Sequence, residues 1–207
     1  MVQGLIAFFG GRAIIHQIQE TVAAASSLNE ETSRSTFVFG EAATQIQKFG
    51  DSAVQSVGLA RGEATRFAND FGTMFKGAGL ANADAARMSQ TFVQLGADLA
   101  SFSNLDIQDA LTKLSAGLAG EAEPLRRLGA GFTDLEVQAK ATALGLRDSN
   151  GELSTGALIQ ARAAVILEKT KLAQGDLART SESLANQQRF LKGEAQQLRE
   201  ELGKELQ

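Results

Sequence analysis

Residues 88–131 read MSQTFVQLGADLASFSNLDIQDALTKLSAGLAGEAEPLRRLGAG, and their pattern decides the fold class. Met88, Phe92, Leu95, Leu99 and Phe102 fall at steps of four and three, and Ile107, Leu111, Leu114 and Leu118 repeat those steps. Each set lines one face of a helix, and the link Ser103, Asn104, Leu105, Asp106 is long enough only for a tight helix pair. Asp106 is placed to cap the second helix. Gly120 stops it, Pro124 suits the first turn of a further short helix, and Gly129 and Gly131 close that turn.

The same period extends both ways along the chain. Phe8, Ile15 and Val22, with Leu5, Ile18 and Ala25 beside them, predict an N-terminal amphipathic helix over 1–30. Residues 29–36 are polar and read as a turn. Phe39, Ala43, Ile46, Phe49 and Ala53 then predict a second helix, and Ala64, Phe67, Phe71, Met74 and Phe75 a third, ended by Gly77 and Gly79. Asn82 is placed to cap a fourth helix, with Asp84 in its first turn, where the helix dipole favours an acid. Thr133 and Glu136 form a capping box, and Phe132 is set to staple onto Val137. Residues 148–151 (DSNG) suit a short hairpin near 147–153, the only strand content expected.

From Ser154 onward, four-and-three steps through Ile159, Ala163, Ile166, Thr170, Ala173 and Leu177 continue to Leu202, so residues 154–207 read as one long helix with a possible bend near Gly175. Leu177, Leu184, Leu191 and Leu198 recur every seven residues, which is coiled-coil spacing, and predict either packing of this helix on its own domain or its self-association or docking on another chain. The expected architecture is all-α: a compact multi-helix domain over 37–146, followed by the long helix.

Composition narrows the function classes. Among 207 residues there are twelve Phe but no Trp, Tyr or Cys, and one His, His16. Thiol chemistry and a multi-His metal site are excluded by residue type. A net charge of −4 without a Lys/Arg run argues against a dedicated nucleic-acid grip. The apolar run at 5–9 is too short to span a bilayer. Gly129-Ala130-Gly131 starts like a dinucleotide loop, but position 134 is Asp134. Residues 148–152 start like a calcium loop, but the position that requires glycine is Leu153. Glu121 with Glu123, and Asp106 with Asp109, sit at helix starts, where capping accounts for them. Asp98, beside the core stripe, reads as a salt-bridge or capping group. No catalytic, cofactor or metal residues are assigned, and the chain does not read as an enzyme.

Four stretches taken together, DLASF at 98–102, GEAEPLRRLG at 120–129, GDLART at 175–180 and ANQQ at 185–188, with FGE at 39–41, resemble a region typical of tail tape measure proteins of long-tailed bacteriophages and prophages. The residues that carry the resemblance are Asp98, Ser101, Phe102, Gly120, Pro124, Leu125, Gly129, Gly175, Asp176, Arg179 and Thr180. It implies a structural virion protein, assembled in the bacterial cytoplasm and placed in the tail tube lumen, which sets tail length. The implied partners are tail assembly chaperones, tube subunits and tip proteins. Family members are usually far longer. A helix over 159–202 spans only about 65 Å at 1.5 Å per residue, so the expectation is a fragment, split product or remnant of a longer ruler. The competing reading is a helical adaptor or membrane-active module using the 5–18 stripe and the C-terminal heptads for helix docking or transient membrane contact.

Overall fold

A computed structural model describes the backbone of residues 2–206 and the side chains of residues 19–206. The chain is all-α, and no strand occurs among the described residues. The apolar stripe at 5–18 and His16 fall outside the described side chains.

The first helix, α1 (Val2–Phe39), runs 38 residues, straight through the stretch read above as a turn. Thr21, Ala25, Leu28, Ser35 and Phe39 are buried, so the four-and-three spacing of the inner face continues across the polar segment. Thr32 and Ser35 turn their hydroxyls back onto the carbonyls of Leu28 and Glu31, which satisfies them without leaving the helix. Ser35 also donates to Asn69 Oδ1 at 2.8 Å, and Asn69 Nδ2 donates to the Glu31 carbonyl and carboxylate at 2.9 and 2.7 Å. This buried amide joins α1 to α4. The polar composition of 29–36 therefore served a helix–helix contact rather than a turn.

Beyond Phe39 the chain bends at Gly40 (φ +55°) into a 3-10 turn, Gly40–Ala42, and then forms α2 (Ala43–Asp51) and α3 (Ala53–Val57). The expected second helix is thus divided, and Phe39 belongs to the helix before it. Helix α4 (Arg61–Gly77) buries Ala64, Phe67, Phe71 and Phe75 as the spacing required. Phe92 of α5 (Asn82–Ser103) packs between Phe71 and Phe75, with ring centroids 5.5 and 5.4 Å apart. Asn82 does not cap α5. Ala81 takes the extended capping conformation, without a side-chain bond, and Asn82 is the first helical residue.

The α5 and α6 (Ile107–Ala119) pair is formed as the opening stretch indicated. Asn104 turns the chain with φ +51°, and the Asp106 carboxylate accepts from the Gln108 N–H at 2.9 Å. Phe92, Leu95, Leu99, Ile107, Leu111, Leu114 and Leu118 are all buried. Of the same stripe Met88 is only partly buried, and the clear exception is Phe102, which is 55% exposed. It lies one residue from the end of α5, where Asp98, Leu99 and Ala100 occupy the covered side. The close approach of the two helices depends on Gly96, since a Cβ built there would stand 2.3 Å from Leu111 Cδ2.

Pro124 lies in the first turn of α7 (Glu123–Arg126), and Thr133 and Glu136 form both bonds of the capping box that starts α8 (Asp134–Ala143). No strand forms at 147–153, only a compact turn: Gly151 N–H donates to the Asp148 carbonyl and Asp148 N–H to the Glu152 carbonyl, both at 3.0 Å, and Asp148 Oδ1 accepts from the N–H groups of Asn150 and Glu152 at 2.9 and 2.8 Å. Ser154 then caps α9 (Thr155–Lys169), which buries Ala161, Ala163 and Ile166 in the core.

The single helix expected over 154–207 is broken into α9, a short α10 (Asp176–Arg179) and a long C-terminal α11 (Leu184–Glu205). A continuous helix would give the N–H groups of Gly175 and Leu177 to carbonyls four residues back. In the fold both go to the Asp98 carboxylate, at 2.8 and 3.3 Å, while Gly175 adopts φ +77°. The chain therefore does not leave the helical body after 154, since α9 packs on α8 and α6, α10 on α5, and α11 on α1.

Replacing Gly96 by Ala should cost about 1–3 kcal/mol, because Leu111 is fully enclosed and cannot swing away. Urea denaturation of the variant measures this; a wild-type midpoint would mean that α5 and α6 are not packed this closely.

A buried hydrogen-bonded clasp as the candidate functional site

Three segments far apart in sequence meet at the C-terminal end of α5. The helix supplies Asp98 and Ser101 one turn apart on the same side. The α9–α10 connection supplies Gly175, Asp176, Arg179 and Thr180, and the first turns of α11 supply Asn186 and Arg189.

Asp98 is 3% exposed and accepts from two backbone N–H groups and, more weakly, from Gln94 Nε2 at 3.4 Å. Burial raises its pKa above the ordinary carboxylate value; the two N–H bonds oppose the shift, and nearby Asp176 adds to it. Ser101 Oγ donates to Asp176 Oδ2 at 2.7 Å and accepts from Asn186 Nδ2 at 2.9 Å. Asn186 Nδ2 also reaches the Thr180 carbonyl and hydroxyl at 3.0 and 2.9 Å. The other oxygen of Asp176 pairs with Arg179 Nη2 at 3.1 Å, and Arg179 crosses back to the carbonyls of Gln174 and Leu172. Arg189 binds the Asn186 side-chain oxygen and the carbonyls of Ala100 and Leu105. The last turn of α5 is thus tied to α11 through groups whose hydrogen-bonding capacity is used inside the cluster. Chemically the arrangement fixes backbone: each charged group faces an N–H, a carbonyl or an opposite charge.

The residues that carried the family resemblance divide into two groups. Asp98, Ser101, Gly175, Asp176, Arg179 and Thr180 are brought together here, whereas Phe102 points outward. Gly120, Pro124, Leu125 and Gly129 form a separate corner between α6, α7 and α9. Gly120 ends α6 with φ +117°, and Arg162 of α9 donates to the Leu118 carbonyl at 3.2 Å. Leu125 is fully buried against Gly117, where an added Cβ would sit 2.2 Å from its side chain. Gly129 turns with φ +70° in open space, so its constraint lies in the backbone. Arg126 is exposed and pairs with Glu123 at 3.1 Å.

Two contributors were not singled out from sequence, Arg189 and Glu200. Glu200 of α11 is 3% exposed, and both its oxygens accept from the Gly62 N–H, at 3.2 and 3.1 Å. Ala60, at the start of α4, offers no side-chain cap, so the carboxylate of a distant helix takes that role. Burial raises the Glu200 pKa to about 7; the Gly62 bond opposes this, Glu63 adds to it, and Lys204 and Arg61 lower it. The available signal was a second seven-residue repeat on α11, Asn186, Gly193 and Glu200, all buried.

Comparison with protein-family models, with curated proteins and with solved structures gives no match to this chain.

Two outcomes test the site. Asp98→Ala leaves the Gly175 and Leu177 N–H groups without their acceptor and should cost about 2–4 kcal/mol in urea denaturation; a loss under 0.5 kcal/mol would remove Asp98 from the clasp. A carboxylate whose folded pKa is raised binds its proton more tightly folded than unfolded, so stability falls as pH rises from the unfolded value to about 7. Glu200 should account for a loss of about 3 kcal/mol between pH 4.5 and 8. In Glu200→Gln, which keeps an acceptor for Gly62, most of that slope should vanish, and an unchanged slope would contradict the assignment.

Proposed function

We propose that the chain is a structural segment of a phage tail protein of the tape measure type, placed in the tail tube lumen and acting with tail assembly chaperones, tube subunits and tip proteins to set tail length. One observation carries this reading. Three of the stretches that prompted the resemblance, 98–102, 175–180 and 185–188, share a single hydrogen-bonded cluster although the first lies about eighty residues from the other two, as expected for residues kept together by a common architecture. The arrangement suits a scaffold. Its polar groups hold segments in place, and α11 extends 22 residues from the clasp with its leucines outward, a form able to continue as ruler helix.

A helical adaptor remains the second reading, favoured by those outward leucines. Among the described residues no helix is long and apolar enough to cross a membrane.

The two are separated in particles purified from cells that carry the gene. A tagged chain should co-purify with tails, and lengthening the helix after α11 in the full reading frame should lengthen tails by about 1.5 Å per inserted residue. Absence from tails, or tails of unchanged length, would overturn the tape measure reading.

A further inference from the structure

Helix α11 is turned opposite to its hydropathy. The side packed on the body carries Asn186, Gly193, Glu200 and Gly203, with Gly193 close against the Gly58 carbonyl and Gly203 close against the Thr21 carbonyl. The opposite side carries Leu184, Leu191, Leu198 and Leu202, which are 73, 63, 55 and 51% exposed. These leucines are not scattered. With Gln188 and Ala195 they step by four and three without a break from 184 to 202, placing Leu184, Leu191 and Leu198 at heptad position d and Gln188, Ala195 and Leu202 at position a. The neighbours that flank such a seam are Glu194 and Glu201 at g, and Lys192 and Arg199 at e.

We propose that this outer face is a homotypic interface, on which a second copy of the chain docks through the same stripe of α11, parallel and in register, as a two-stranded coil. The flanking charges select both occupant and direction. In a parallel pair, a g residue faces the e residue five positions on in the other helix, so Glu194 of each chain meets Arg199 of the other copy. Reversing one helix sets acids against acids and bases against bases. Lys192 is engaged within its own chain, with Asp106 at 3.6 Å, which leaves Glu194 and Arg199 as the discriminating pair. A single polar a position, Gln188, fixes the register at some cost in stability. Three heptads would be a marginal coil for free peptides. Here each helix is already held along its inner side, so the ordering cost is met before association. Because the stripe faces away from the body, two bodies fit on opposite sides of the pair.

The pairing is read from the purified chain and does not depend on the tail assignment, so either can fail alone. Sedimentation over a rising concentration series should pass from one 21.8 kDa chain to two. Leu191→Lys combined with Leu198→Lys should abolish the dimer while leaving the melting temperature within a few degrees, since both side chains are solvent-facing in the single chain. Glu194→Arg or Arg199→Glu alone should weaken pairing about tenfold, and the double exchange should restore it. The chain has no cysteine, so Gln188→Cys offers one thiol per copy, and oxidation should link the copies only if their N-terminal ends lie side by side. A chain that stays monomeric, or a dimer indifferent to the two lysines, overturns the proposal. A dimer that neither crosslinks through Gln188→Cys nor recovers in the double exchange overturns the parallel arrangement.

Discussion

The Asp98 carboxylate accepting the N–H groups of Gly175 and Leu177 is the interaction on which the second half of the fold depends. It sits inside the core helix α5 at 3% exposure, where a carboxylate without partners would be costly. Its partners are two amides that a continuous helix over 159–202 would have used internally. By drawing them in, Asp98 fixes the connection that follows the end of α9 at Lys169, holds Gly175 in a left-handed conformation and brings Asp176 within reach of Ser101. The course of the chain from Gly175 through α10 is held by that exchange of acceptors.

Once α10 is pinned, α11 has little choice of course. Asn186 and Arg189 close the clasp at its start, and Glu200 fastens it again at the start of α4. Glycines at 193 and 203 let its backbone lie against the chain beneath. The seat of α11 is thus made mainly of hydrogen bonds and close backbone approach, with Phe190 the large apolar side chain that it packs on the core. The consequence is the outward leucine face, and with it the separation between what holds the helix and what it offers to another chain. The raised pKa of Glu200 follows from the same seat, because burial favours the protonated carboxyl more than the Gly62 N–H bond favours the ionised one.

Part of this was legible in the residues. Where a local rule acted alone, as at the capping box of Thr133 and Glu136, the Asp106 and Ser154 caps, the stop at Gly120 and the phenylalanine stripe of α4, the structure follows the sequence pattern. Errors arose where a distant group competed with a local rule. Residues 29–36 looked like a turn because their polar side chains were counted as solvent-seeking; Asn69, thirty-four residues beyond Ser35, is what makes them a helix face. At 147–153 a tight turn does close, with Gly151 N–H on the Asp148 carbonyl and Asp148 N–H on the Glu152 carbonyl, but the chain on either side goes into α8 and α9 and no strand pair extends from it. Of the site residues, Asp98 and Gly175 could be named from pattern and resemblance, but not their bond, since no periodicity in either segment refers to the other.

The sequence by itself determined that this protein is all-helical, where the helices between α4 and the start of α9 are punctuated, and that α5 and α6 form a tight pair, because four-and-three spacing, caps and glycine stops act within a few residues of one another. Only the tertiary structure decided that the C-terminal region divides into three helices, that Asp98, Ser101, Asp176 and Asn186 converge, and which side of α11 faces inward. The reason is physical. Two heptad repeats lie on α11, one of leucine and one of asparagine, glycine and glutamate; hydropathy selects the first for burial, but the hydrogen-bond partners on α4 and α5 and the close backbone approach to α1 select the second.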